Sequence, residues 1–310
     1  MSLFSQALDV PIPEVCRAGA VTIGNFDGVH LGHQALLVET MKQARELGGP
    51  SVAVTFDPHP QQLLRPDAFQ PTLTTLEHRA ELLEGHGADH VLILRISPAF
   101  LQMGAREFFD RVLRDGLQVR AVIEGFNFGF GRKREGTVDL LKSLSQDAGI
   151  RVTLLKAREL DGKPVSTSRV RGELEAGNVA AARKLMGRPY RLIGLVGTGQ
   201  KRGQTLGFPT ANLHEVTTLV PGPGVYAVRV LHEGRTWAGA ANIGTNPTFG
   251  EIVPKIEVHL VGYNGNLYDA TLMVDFYARM RDTRAFSGPA ELAEQLRRDI
   301  DQARTLAGFP

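Results

Sequence analysis

Residues 20–33 read Ala-Val-Thr-Ile-Gly-Asn-Phe-Asp-Gly-Val-His-Leu-Gly-His: an apolar run that breaks into a glycine-punctuated turn and then enters a helical pattern. In a parallel sheet, the carboxyl end of a strand and the start of the next helix form the usual ligand crevice, and free backbone N–H groups at the helix start attract phosphate. His30 and His33 are three residues apart. With a helix beginning near Leu31, that spacing sets both imidazoles on one side of its first turn, each able to donate to a phosphate oxygen. Gly32 keeps the backbone approachable there. An ordinary loop and a metal site are the competing readings, but two imidazoles and a carboxylate among glycines favour phosphate. Neither a Walker loop nor a well-formed Gly-x-Gly-x-x-Gly pattern occurs, so the histidine motif carries this reading alone.

Outward from this turn, apolar runs at 20–23, 51–56, 90–96, 121–125 and 151–156 lack the alternation of a half-exposed sheet and read as five buried parallel strands. Helical patterns at 34–47 and 106–113 lie between them. After Gly187 the pattern changes. Segments 192–196, 225–231, 256–261 and 270–276 are strand-like and separated by Gly- and Pro-rich turns, which reads as antiparallel β. A last helix follows, with Leu292, Leu296, Ile300 and Ala303 as its apolar stripe and Arg297, Arg298 and Asp299 on the opposite face. The expectation is an α/β domain followed by a β domain, joined near residues 186–190, where Gly187 and Pro189 interrupt a helix.

The 310 residues suit two domains, and 43% hydrophobic with 22% charged residues is ordinary globular composition, so long disorder is not expected. A net charge of +2 leaves no surplus for an extended nucleic-acid surface, so small anionic partners are expected. Cys16 is the only cysteine, which removes an internal disulfide framework and any multi-thiolate metal site. No stretch suits a membrane helix and the amino terminus lacks a secretory pattern, so the expected location is the cytoplasm, with no membrane partner.

A second informative stretch runs from Gly197 through Lys201, Gly203 and Gly207 to Phe208-Pro209-Thr210-Ala211-Asn212. Repeated glycine permits close approach to phosphate, and Thr210 and Asn212 carry oxygens suited to a hard cation such as Mg²⁺. By chemistry alone a structural turn is the better explanation of this loop.

The turn at His30 and His33 resembles the His-x-Gly-His signature of the nucleotidyltransferase superfamily. Together with Thr55-Phe56-Asp57-Pro58-His59-Pro60, Gly125-Phe126-Asn127-Phe128-Gly129-Phe130-Gly131 and Ser166-Thr167-Ser168-Arg169-Val170-Arg171, it is similar to the FAD synthetase module of bacterial bifunctional riboflavin kinases/FAD synthetases. The stretch 207–212 resembles the Pro-Thr-Ala-Asn motif of riboflavin kinases, and Gly224-Val225-Tyr226, Ala241-Asn242-Ile243-Gly244-Thr245 and Glu257-Val258-His259-Leu260 match in order. The resemblance spans nearly the whole chain. It implies a Rossmann-like nucleotidyltransferase domain over 1–186, then a mainly antiparallel β-barrel riboflavin kinase domain with a carboxy-terminal helix over 190–310. The implied reactions are ATP-dependent phosphorylation of riboflavin to FMN and adenylyl transfer from ATP to FMN, giving FAD and pyrophosphate, both with Mg²⁺.

The same resemblance assigns Gly24, Phe26, Asp27, His30, Gly32, His33, Ser166, Thr167 and Arg171 to ATP in adenylyl transfer, and Phe56 and Asn127 to the flavin. Ser166 and Thr167 as helix caps, Asn127 as a turn residue and Phe56 as core packing are the structural alternatives. The run Arg132-Lys133-Arg134 suits either triphosphate shielding or a solvated loop. For the kinase, the resemblance assigns Gly197, Lys201, Gly203, Gly207, Thr210 and Asn212 to ATP, the last two also to Mg²⁺, and Glu257 to the catalytic base. It gives Arg281 to the flavin, with a salt bridge as the alternative. Asn246 and Phe286-Ser287-Gly288 depart from the usual Arg and Phe-Asp-Ser.

Overall fold

The computed structural model describes residues 2–7, 10–198, 207–244 and 255–309. Two compact units emerge, Met1–Gln70 with Thr75–Ser166, and Pro71–Thr74 with Thr167–Pro310.

In the first unit the elements run β1 (Ser2–Ala7), β2 (Ala20–Ile23), α1 (Leu31–Leu47), β3 (Ser51–Asp57), α2 (Pro60–Leu64), α3 (Leu76–Gly85), β4 (His90–Arg95), α4 (Ala105–Phe108), β5 (Ala121–Gly125), α5 (Val138–Asp147), β6 (Arg151–Leu155) and the small hairpin β7 (Glu159–Leu160) and β8 (Lys163–Pro164). The main sheet has the order β1-β4-β3-β2-β5-β6, and every pairing in it is parallel. All five expected strands form. An added edge strand, β1, pairs with β4 from Ser2 to Ala7. Its sequence offers only Leu3 and Phe4 as large apolar residues, so backbone pairing supports it rather than a readable hydrophobic pattern.

The apolar runs are continuous because both sheet faces are covered. Val52, Val54, Leu92 and Leu94 face one cluster with Phe108, Leu141 and Leu144, while Ala53, Val91 and Ile93 turn to the other with Leu37, Ala80 and Leu83. The helix expected at 106–113 forms as α4 continued by a π-helical turn, Phe109–Arg114, which buries Phe109, Val112 and Leu113.

In the second unit α6 (Thr167–Glu175) and α7 (Val179–Met186) precede a closed antiparallel barrel of β9 (Tyr190–Gly197), β10 (Ala211–His214), β11 (Gly224–His232), β12 (Arg235–Gly244), β13 (Lys255–Leu260) and β14 (Thr271–Arg281), and α8 (Pro289–Leu306) ends the chain. The spatial order is β10-β13-β12-β11-β14-β9, closed by β9 pairing with β10. Strand β9 alternates strictly, sending Tyr190, Leu192 and Val196 inward. Two barrel strands had no signal in the expected set. β10 has four residues, and β12 is rich in Ala and Gly, which are poor strand formers.

The expected join at 186–190 differs from the division into compact units. Gly187 does stop α7, in a left-handed conformation with φ 71°, yet α6 and α7 pack with the barrel. The amide of Gly222, for example, donates to the Leu174 carbonyl.

One residue of α8 departs from the expected face. Asp299 is 1% exposed, because its carboxylate accepts from Arg281 Nε at 3.0 Å, Arg281 Nη2 at 2.7 Å and Gln295 Nε2 at 2.9 Å. Arg281 ends β14, so the pair locks α8 to the barrel. Breaking one side of a buried pair strands the other charge. Asp299→Ala is therefore expected to lower stability by about 3 kcal/mol in urea unfolding, whereas Arg297→Ala, on the exposed face, should change it by less than about 0.5 kcal/mol.

Candidate functional site

Strand order reverses between β2 and β5: the chain adds β3 and β4 on one side of β2, then returns to place β5 on the other. Ligands in open parallel sheets bind outside the carboxyl ends at such a reversal. The turn at 24–33 leaves β2 there, and Asn127 follows β5 on the other side.

The turn is held in an unusual backbone path, with Phe26 at φ 47°, Gly28 at 77° and Val29 at 36°. Non-glycine residues rarely adopt positive φ, and such strain concentrates at functional sites. Phe26 is 1% exposed; its ring packs over Gly24 and meets the edge of the His33 ring at 5.2 Å. Its side chain thus orients His33, leaving the backbone for a ligand.

His30 is the N-cap of α1. Its Nδ1 accepts from the amides of Gly32 at 3.2 Å and His33 at 3.4 Å. A neutral imidazole accepting at Nδ1 carries its proton on Nε2, which makes the ring a donor to an anion. The His30 and His33 rings stack at 3.7 Å. A Cβ on Gly32 would lie 3.0 Å from the His30 ring, so a larger residue there would require that ring to shift.

Arg79 of α3 is a residue that sequence reasoning misses, since nothing local marks it. It is 4% exposed. Burial lowers its pKa, and the nearby carboxylates of Asp27 and Asp57 oppose that shift. Asp27, itself 4% exposed, thus belongs to a buried charge cluster behind the turn.

Phe56 is half-buried and packs against the core with its ring 6.0 Å from Phe100. Asn127 is exposed, and Arg134 Nη2 donates to its carbonyl at 2.9 Å. Arg134 thus tightens this loop, while Arg132 lies 3.7 Å from Glu135. Phe126, beside Asn127, is 57% exposed. Ser166 closes the first unit; Thr167 and Arg171 lie on α6 in the second, where Arg171 Nη1 donates to the Pro71 carbonyl at 2.8 Å.

On the barrel, Glu257 of β13 sits in register between Asn212 of β10 and Asn242 of β12. Their neighbours Ala211, Val258 and Ala241 are buried, so by strand alternation the three polar residues share the outer face. Asn242 belongs to the 241–245 string that resembles the kinase family, and only the ladder register sets it beside Glu257. His259 Nδ1 lies 2.8 Å from the carbonyl of Pro209 and ties β13 to the residue before exposed Thr210. Burial lowers the His259 pKa against a smaller opposing effect of that hydrogen bond, so the neutral ring donates from Nδ1.

Gly197 ends β9 opposite Asn212, and Gly207 adopts φ 82°. Lys201, Gly203 and Asn246 lie outside the described residues. Arg281 is engaged by Asp299 and by the Asp282 carbonyl, the salt-bridge alternative. Ser287 also gains a local role: its amide and hydroxyl donate to Glu291 in the first turn of α8.

A sequence family described as FAD synthetase matches residues 12–169, and one described as riboflavin kinase matches residues 186–307. The chain is 40% identical over 292 residues to the bifunctional riboflavin kinase/FMN adenylyltransferase of Pseudomonas fluorescens, covering 94% of each. To the protein of the same description from Bacillus subtilis (strain 168) it is 36% identical over 299 residues, covering 94% of this chain and 93% of the relative. A crystal structure described as a macrolide-efflux protein from Streptococcus pneumoniae matches with a TM-score of 0.87 at 30% identity, over 97% of this chain and 99% of that one. Among the described residues here, no helix is long and apolar enough to cross a membrane.

The capping geometry separates two jobs of His30. His30→Asn keeps a side-chain acceptor for the amides of Gly32 and His33 and should hold stability within about 0.5 kcal/mol of the parent, whereas His30→Ala should lose about 1 kcal/mol. Denaturant unfolding of the first unit checks both.

Proposed function

This chain belongs to the bifunctional riboflavin kinase/FMN adenylyltransferase family, and we propose that the His30 turn serves its adenylyl transfer and the Glu257 row its phosphoryl transfer. The kinase reaction converts riboflavin to FMN with ATP; the second reaction moves the adenylyl group of ATP to FMN, giving FAD and pyrophosphate.

The observation that carries the first assignment is the His30 cap: with Nδ1 accepting from the amides of Gly32 and His33, the neutral ring holds its proton on Nε2. In adenylyl transfer an FMN phosphate oxygen attacks the α-phosphorus while the bond to the pyrophosphate oxygen breaks. No covalent enzyme intermediate is required, so positioning and charge stabilisation do most of the work. His30 and His33 donate to the triphosphate, the amides after Gly24 cradle it, and Gly32 admits it. Ser166, Thr167 and Arg171 keep the role of phosphate donors that the family pattern gives them. Asn127 contacts the flavin; Phe56 supports that wall from the core.

On the barrel, Glu257 takes the proton of the riboflavin 5′-hydroxyl as that oxygen attacks the γ-phosphorus of ATP, and ADP leaves. Asn212 and Asn242 flank it in register. The Thr210 hydroxyl and the Asn212 amide oxygen are hard donors, and Mg²⁺ typically takes few protein ligands alongside phosphates and water, so this pair fits the Mg²⁺ that accompanies ATP. When bound, the ion offsets phosphate charge. Gly197, Lys201, Gly203 and Gly207 are the remaining ATP contacts by the family pattern, and Arg281 acts through the segment that it anchors to Asp299. We assign the chain to the cytoplasm, where ATP is available and the single thiol of Cys16 stays reduced.

Separate sites predict separable losses. The double variant His30→Ala/His33→Ala should form FMN at the parent rate and lower FAD formation by at least about 100-fold. Thr210→Ala/Asn212→Ala should do the reverse and still make FAD when FMN is supplied. Chromatography of riboflavin, FMN and FAD reads both; equal loss of the two activities in a folded variant would sink the assignment. Removing Mg²⁺ with a chelator should stop both reactions.

A further inference from the structure

Glu124 is a carboxyl group that neither reaction uses, and it is 2% exposed. It occupies the penultimate position of β5, beside the strand-order reversal. The ladder between β2 and β5 has only two rungs, Ala20 with Ala121 and Val21 with Val122. On its other side β2 stays paired with β3 through Ile23 and Val54, and the amide of Gly24 donates to the Val54 carbonyl. Since successive amides of a strand point to opposite sides, the Ile23 amide faces β5, where the backbone ladder has already ended. Glu124 replaces the missing rung: its Oε1 accepts from the Ile23 amide at 2.6 Å, across 101 residues of sequence.

This contact sits at the last residue before the 24–33 turn. Without an acceptor, the Ile23 amide would be left buried and unsatisfied, and the strand end that launches the turn would have no tie to β5. Burial raises the carboxyl's pKa well above the ordinary carboxylate range, with the Ile23 hydrogen bond opposing, so the uncharged form is favoured. An uncharged acceptor is all the Ile23 amide needs.

We infer that Glu124 is a positioning residue for adenylyl transfer: through the Ile23 amide it fixes the end of β2 and so the shape of the turn that receives the ATP phosphates. This rests on the assignment of adenylyl transfer to that turn. Glu124 touches no substrate; it acts by keeping Gly24 and the backbone after it at a constant distance from the β5 side of the crevice. Small misplacements of a binding element cost large factors in rate.

The test compares Glu124→Val, which removes the acceptor while filling much of the space, with Glu124→Gln, which keeps a neutral oxygen there. Steady-state rates are measured for FMN with varied ATP and for riboflavin phosphorylation, and amide exchange is followed in peptides covering residues 20–33. Glu124→Val should raise KM for ATP in FAD formation on the order of tenfold, leave KM for FMN and the riboflavin kinase rate unchanged, and speed exchange in those peptides. Glu124→Gln should restore all three readouts. An equal defect in both variants would overturn the inference, because the ionised carboxylate would then be the active species; an unchanged ATP KM in Glu124→Val would overturn it as well. Should Glu124→Val fail to fold, Glu124→Asp, one methylene short of Ile23, supplies the same contrast with Glu124→Gln. If the unmodified chain makes no FAD from FMN, the activity assignment fails, and the exchange readout alone decides whether Glu124 holds the turn.

Discussion

A single constraint organises the first unit: β2 must pair with β3 on one side and β5 on the other, and it cannot follow both to their ends. The β2–β5 ladder stops two residues before the end of β2. A parallel sheet opens a crevice at such a place, and the glycine-rich turn, the amino terminus of α1 and the loop after β5 all converge on it. The hydrophobic core sets this up, since clusters on both faces hold the strands at fixed spacing and leave the carboxyl ends as the place where the backbone is free to bind. His30 belongs to the same logic: its Nδ1 accepts from the amides of Gly32 and His33 and so completes the amino terminus of α1.

The second unit solves the edge problem by closure. With β9 paired to β10 the barrel closes on itself, and Tyr226, Phe276, Val228, Val258 and Val274 are buried in it. The same alternation that buries Ala211, Val258 and Ala241 lines up Asn212, Glu257 and Asn242 outside. Three residues from distant segments thus form one row, with positions set by ladder register rather than by flexible loops. His259 and Asp299 are the polar fasteners around this arrangement, one at the Thr210 segment and one at α8.

Much of this was legible in sequence because the physics was local. Runs buried on both faces carry an unbroken apolar signal, so β2, β3, β4 and β5 were readable, and edge strand β6, only partly buried, was readable from its apolar composition; the turn at His30 was readable because glycine spacing and the i, i+3 histidines report on one helical turn. What escaped was decided at a distance. Strand β1 depends on pairing with β4, and β12 is built from residues with little strand preference of their own. Arg79 and Asp299 are charged residues on helices and Glu124 stands in an apolar strand, yet each is buried against partners elsewhere in the chain, and no local pattern announces an acceptor 101 residues from its donor. The membership of α6 and α7 in the second unit was hidden for the same reason: their start follows the first unit without a break, and only their packing assigns them.

The two chemistries are proposed to use two separately built sites, one at a sheet that opens and one on a barrel that closes. The most direct measurement of that claim is a time course of the purified chain with riboflavin, ATP and Mg²⁺, separating the three flavins by chromatography. FMN should rise first and FAD should follow as FMN is consumed. FMN that never proceeds to FAD, or the absence of product from both riboflavin and FMN, would contradict it.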